Sequence, residues 1–142
     1  MSLPRSNILK GITFDVVVPN NQTRSSYPFV SVGNGRIEFS SHVIDELKNY
    51  KKLRYAEVHY GINNKSYNKA CVAIRFFENK TDNAFPVSLK KQKGKLIKGL
   101  YISNKELAKT VFGDLGTGNK MTRFDNVEID SLYNIVLVSL VG

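Results

Sequence analysis

Apolar and polar residues alternate along much of the chain, and glycine, asparagine and proline punctuate the alternation. The run Ile12-Thr13-Phe14-Asp15-Val16-Val17-Val18 is β-branched and aromatic and stops at Pro19-Asn20-Asn21, which predicts a strand over 12–18 closed by a turn. Tyr27 to Val32 repeats the pattern, Gly33-Asn34-Gly35 supplies residues that tolerate positive φ, and Arg36 to Phe39 resumes it. Residues 27–39 therefore read as a hairpin. Leu53 to Tyr60 alternates and Ala70 to Phe77 is almost continuously apolar, so a long hairpin is predicted over 53–77. Further strands are predicted at Gly99–Ile102, at Met121–Ile129 and at Tyr133–Leu140, the last two separated by Asp130-Ser131.

Helical spacing occurs twice. Ser40-Ser41 precede His42-Val43-Ile44-Asp45-Glu46-Leu47, where Val43, Ile44 and Leu47 share one helical face behind a serine cap. In Ser103-Asn104-Lys105-Glu106 a cap is followed three residues later by an acid, and Leu107, Val111 and Phe112 supply the apolar face. The glycine-rich stretch Gly113 to Asn119 ends this second helix. It is not a phosphate-binding P-loop, because no lysine directly follows its second glycine. Its context is also a helix before and a strand after, the reverse of what a phosphate needs.

These elements define an α+β, β-rich fold class, with antiparallel strands and hairpins and two short helices in a single domain over 1–142. An OB-like small barrel is the alternative arrangement of the same strands. Gly35 to Ser41 aligns with Lys98 to Asn104, strand on strand and cap on cap. That match is read as a degenerate internal duplication of a strand–helix–hairpin unit. Its halves are 27–78 and 96–142, joined by a basic loop over 79–95. Shared grammar at strand-to-helix junctions explains the match equally well.

Composition narrows the classes. The 142 residues are 42% hydrophobic and 23% charged, as in a globular chain rather than a disordered one. Cys71 is the single cysteine, so no intrachain disulfide forms, and its apolar setting Ala70–Ile74 makes it a small core residue. No apolar run approaches the roughly 20 residues of a membrane helix. Met1 to Asn7 lacks a signal-peptide stretch, so a cytoplasmic protein with no membrane partner is expected. No cofactor is implied. His42, His59 and Cys71 do not make a metal set, and Asp125, Glu128 and Asp130 lack the spacing of a calcium loop. No catalytic constellation is visible; a metal-dependent nuclease using those three acids is the weakest of the readings.

Charge changes the picture most. Lys plus Arg number 21 against 12 Asp plus Glu, a formal net charge of +9. The excess is densest in Ser88–Lys98, where Lys90, Lys91, Lys93, Lys95 and Lys98 stand with no acid among them. Such a segment follows a phosphate backbone, because each ammonium displaces a condensed counterion without needing exact geometry. The bland alternative is a solvated connector. Aromatic residues beside cations, in Arg54-Tyr55, Arg75-Phe76-Phe77 and near Lys98 at Tyr101, can stack on unpaired bases. The candidate nucleic-acid contacts are the five lysines with Arg54, Arg75, Tyr55 and Tyr101. In a strand, Arg54 and Tyr55 point to opposite faces, so neighbours in sequence do not automatically share a surface.

The expected partner is nucleic acid, DNA more than RNA, bound by a homo-oligomer without catalysis. A second class of partner is an acidic host or viral protein. It would be held by the same charge and by the apolar edge Ile135-Val136-Leu137-Val138, as by a phage effector or assembly factor.

The order strand, cap, short helix and hairpin from Gly35 to Phe77 resembles small bacterial and phage DNA-binding proteins of the AbrB-like, swapped-hairpin type. The residues that carry the likeness are Ile37-Glu38-Phe39-Ser40 and Leu53-Arg54-Tyr55-Ala56-Glu57-Val58-His59-Tyr60. Asn49-Tyr50-Lys51-Lys52 stands where that family usually has a Pro-Gly-Asp step. The resemblance implies a dimer whose basic face meets duplex DNA. Size and composition also resemble small early proteins of phages and mobile elements.

Overall fold

The computed structural model describes residues 6–13, 28–63 and 69–140. After a 3-10 turn at Asn7–Leu9, the strands are β1 (Val30–Gly33), β2 (Arg36–Phe39), β3 (Tyr55–Asn63), β4 (Lys69–Phe77) and β5 (Phe85–Pro86), then β6 (Ser88–Gln92), β7 (Lys95–Ser103), β8 (Thr122–Phe124), β9 (Val127–Asp130) and β10 (Ile135–Ser139). Helix α1 (Ser41–Glu46) lies between β2 and β3, while α2 (Lys105–Phe112) and the one-turn α3 (Asp114–Thr117) lie between β7 and β8. The fold is α+β and β-rich, built from two open five-stranded antiparallel sheets. Their orders are β6-β7-β2-β1-β8 and β5-β3-β4-β10-β9, with no closed barrel, so the OB-like alternative is not the observed arrangement.

Period-two alternation makes the sandwich. Val30, Val32, Ile37, Phe39, Leu100 and Ile102 are the inward positions of the first sheet, and Ala56, Val72, Ile74, Phe76, Val136 and Val138 those of the second. All are buried in one core, and Phe39 meets Phe76 edge-on across it, ring centroids 5.1 Å apart. The helices add Val43, Ile44, Leu107 and Phe112 to the same core, and Phe112 packs against Phe124 of β8.

Local signals placed many of these elements. Asn34 and Gly35 both take positive φ, 52° and 73°, giving the two-residue turn whose twist suits a hairpin. Ser40 caps α1 by accepting from the Val43 amide at 3.5 Å, and the same hydroxyl accepts from the Phe29 amide at 3.0 Å. Asn104 caps α2 by accepting from Leu107 N at 2.9 Å. Because Ser40 is buried and serves two amides at once, Ser40→Ala is expected to cost about 2 kcal/mol. A drop in the urea midpoint at constant slope is the measurement that checks this.

Three expectations need correction. The predicted strand 121–129 is two strands in different sheets, because alternation breaks at Asp125-Asn126. Thr122 and Phe124 of β8 sit beside Val32 and Val30, while Val127 and Ile129 of β9 sit beside Val138 and Val136. The basic stretch 79–95 is not a loop. It contains β5, β6 and the start of β7, with the reversal at Lys93 and Gly94, φ 52° and 78°. The glycine-rich stretch does end α2, at Gly113 with φ 63°, but then forms the short α3. The predicted strand 12–18 lies outside the described residues apart from Ile12 and Thr13, which are not in a strand. Tyr27, at the start of the 27–39 hairpin, is also outside them.

Apart from the edge strands β8 and β5, which have no counterpart, the strand order is symmetric. In the first sheet the hairpin β6–β7 abuts β2–β1, and in the second β3–β4 abuts β10–β9. Each half runs hairpin, helix, hairpin. A pseudo-twofold through the antiparallel contacts β2–β7 and β4–β10 exchanges them, with Glu38 opposite Tyr101 and Ala73 opposite Leu137 at the centres. It brings buried Ile37 and Phe39 onto buried Leu100 and Ile102, and Val72 and Ile74 onto Val136 and Val138.

Candidate nucleic-acid interface

The basic segment is a β-hairpin at the edge of the first sheet, so its lysines have fixed directions rather than those of a loose tether. Lys90 sits at an irregularity in β6, where the register slips between Leu89 and Lys91. Its stem crosses β7 over Gly99, where any Cβ would collide with it, and its ammonium pairs with Glu38 of β2. Lys98 pairs with Asp45 of α1 and ties the hairpin to the helix. Lys91, Lys93 and Lys95 are exposed and have no ion-pair partner among the described residues. Two lysines therefore fasten the hairpin and three present unmatched charge at its tip.

Beside the hairpin lies an open groove of about 690 Å³, lined by Arg54, Val87, Ser88, Leu89, Lys91, Gly94, Leu96 and Tyr101. Three of the sequence-derived candidates, Arg54, Lys91 and Tyr101, thus meet around one depression. Arg54 is held in place at its backbone: its carbonyl accepts from Val87 N at 2.8 Å, and its guanidinium donates to the Leu53 carbonyl at 3.0 Å. A smaller cavity of about 90 Å³ between Tyr50, Lys51, Leu89, Leu96, Ile97 and Lys98 undercuts the same hairpin. Leu96 and Ile97 are exposed, so the hairpin carries apolar surface between its charges.

The other candidates lie elsewhere. Tyr55 and Arg75 belong to the outer face of the second sheet, the two being on adjacent strands β3 and β4. The Arg75 guanidinium stacks on Phe77 at 4.9 Å and on Tyr133 at 5.6 Å. On that face Glu57 accepts from Thr81 Oγ1 and lies 3.0 Å from His59 Nε2. The hydrogen bond from Thr81 first, then that with His59 and the positive charges of His59 and Arg75, hold its carboxyl below the usual value. Arg75 and Tyr55 are not part of the hairpin site.

Arg36, which no local sequence signal singles out, joins the groove through Tyr101, whereas Arg123 lies at the opposite edge of the same sheet. Arg36 of β2 lies over the Tyr101 ring at 4.6 Å, and Arg123 of β8 over Phe29 at 3.8 Å, both on the outer face of the first sheet. Neither pairing is visible locally, because each depends on strands distant in sequence. Among the described residues no group of three or more His, Cys, Asp or Glu side chains converges as a metal site, and Asp130 instead accepts from Leu132 N at 3.0 Å and Tyr133 N at 3.3 Å in its turn. No described helix is long and apolar enough to cross a membrane. No protein-family model, curated protein or solved structure matches the chain.

Proposed function

We propose that this chain is a non-enzymatic nucleic-acid-binding protein that grips DNA through the β6–β7 hairpin and the adjoining outer face of the first sheet. The observation that carries the reading is the triad Lys91, Lys93 and Lys95, without an ion-pair partner among the described residues, at the tip of a hairpin whose Lys91 lines a groove with Arg54 and Tyr101. Ammonium groups on the hairpin supply phosphate contacts, and the half-buried Tyr101 ring beside it, with Arg36 over one face, supplies a surface for a base. The Lys90–Glu38 and Lys98–Asp45 pairs fix the hairpin against the body, so the free charges are presented without a large ordering cost.

Fluorescence anisotropy of nuclease-treated protein with labelled DNA across a salt series tests this. With the three lysines and Arg54 contacting phosphates of a single strand, log K is expected to fall against log salt with a slope of about −3. No binding, or binding indifferent to salt, removes the proposal.

A further inference from the structure

Successive Cα partners set Ser88, Tyr101, Glu38, Ser31 and Arg123 in one row across β6, β7, β2, β1 and β8. The adjoining residues Val32, Ile37 and Ile102 are buried, so this row faces away from the core. Four inter-strand steps make it about 19 Å long. Cations mark both ends: the lysine hairpin beyond Ser88, and Arg123 stacked on Phe29. Arg36 stacked on Tyr101 lies between them. Glu38 stands mid-row, its side chain 22% exposed, held by Lys90 reaching over Gly99.

Glu38 brings a carboxylate to the centre of a basic and aromatic face, where the Lys90 ammonium on its Oε1 offsets its charge. A carboxylate paired at one oxygen keeps acceptor capacity on the other, which suits the amino group of a base edge. We propose that the outer face of the first sheet binds single-stranded DNA with its bases laid on the sheet, and that Glu38 favours bases with an exocyclic amino group, cytosine above all, over thymine. The inference rests on the nucleic-acid reading above. Phosphates follow the hairpin lysines and Arg123, a base stacks on Tyr101, and the next base turns its edge to Glu38. A carboxylate accepts from cytosine N4, whereas thymine offers carbonyl oxygen at the equivalent position.

The same row argues for one strand over a palindromic duplex. The pseudo-twofold relating β2 to β7 exchanges Glu38 with Tyr101 and Arg36 with Gly99, and β8, which carries Arg123, has no counterpart beyond β6, so the face is asymmetric in its chemistry and in its edge strands. A ligand with direction, a single strand, matches that asymmetry; a twofold operator does not.

Anisotropy titrations with oligo-dC, oligo-dT and a mixed-sequence duplex of equal length test the proposal. The native chain is expected to bind oligo-dC about tenfold more tightly than oligo-dT, and both more tightly than duplex. Glu38→Gln should bring the two single strands within about twofold without weakening oligo-dT, because the change takes no contact from thymine and leaves the Lys90 ammonium without its carboxylate. Lys90→Gln, which releases Glu38 but keeps it, should retain the oligo-dC preference and so separates base reading from the ion pair. Tyr101→Leu should weaken both single strands about tenfold. Equal affinity for oligo-dC and oligo-dT, or preference for duplex, overturns this inference while leaving salt-dependent binding standing. Loss of all binding in the native chain overturns the nucleic-acid reading itself.

Discussion

Replacing Lys91 and Lys95 by glutamine and Lys93 by asparagine together is expected to flatten the salt dependence of single-stranded DNA binding by about 2 in log–log slope. Each phosphate contact on a single strand contributes roughly 0.7 to that slope, and these are the three hairpin lysines without a carboxylate partner among the described residues. Extrapolated from about 1 M salt, where the counterion term vanishes, the same change means about hundredfold weaker binding near 0.1 M. Asparagine is the choice at position 93 because Lys93 sits in the left-handed region, φ 52°, ahead of Gly94, and asparagine suits that turn better than lysine. The variant should therefore fold at least as well as the native chain, which thermal unfolding checks. A slope unchanged within error would show that these lysines do not touch the ligand. By contrast, Lys90→Gln and Lys98→Gln should change the slope less, since both ammonium groups are already matched by Glu38 and Asp45.

The largest loss of stability is expected from Gly116→Ala. Gly116 lies in α3 where that turn packs directly on α2, and a Cβ there would stand 2.5 Å from the Ala108 carbonyl carbon and closer still to its oxygen. These are backbone atoms of a helix and cannot rotate away. The Gly116 carbonyl also accepts from Gly35 N, and the Gly118 carbonyl from Asn34 N, each at 2.9 Å, so α3 clamps the β1–β2 turn. Pushing α3 outward breaks both bonds as well as the packing. A cost of about 3 kcal/mol follows, near the upper end for overpacking. In a domain of this size that corresponds to a fall in Tm of about 10 °C, measurable by calorimetry. A fall of a degree or less would mean that α3 does not pack as described.

How much of this was legible in the sequence depends on the range of each interaction. The Asn34-Gly35 turn, the Ser40 cap and the long 53–77 hairpin are set by neighbours within a few residues, and the alternation shows them. The split between β8 and β9 also had a signal: inward positions run Thr122 and Phe124, then Val127 and Ile129, a change of phase that a single strand cannot accommodate. Reading 121–129 as one β-rich stretch hides that change. The hairpin was masked by its own charge, because lysine density draws the eye away from Leu89 and Leu96, which are the residues that line its underside.

The candidate site divides the same way. The lysine run is contiguous and needs no fold to be seen. That Arg54 and Tyr101 join Lys91, while Tyr55 and Arg75 go to the opposite sheet, follows from strand direction and sheet order. Arg54 and Tyr55 demonstrate it: adjacent in sequence, one borders the groove and the other faces away with β3. Arg36 and Glu38 gain their meaning from β7, which only the sheet pairing brings beside β2. The outer face of the second sheet is a different surface. On it Arg75 stands between Glu57 and Ile135, and with Glu128 and Asp130 on β9 the acids outnumber that arginine, a charge pattern less suited to phosphate than the hairpin.

The central claim is therefore one of place: nucleic acid on the first sheet and its hairpin, none on the second. Two-dimensional amide NMR of the labelled chain, titrated with single-stranded DNA, tests it most directly. Shifts concentrated at Ser88–Tyr101, Arg36–Glu38, Ser31 and Arg123, with Tyr55, Ala73, Arg75 and Leu137 unmoved, are the predicted result. Shifts centred on Arg75 and Tyr55, or none at the lysine hairpin, would contradict it.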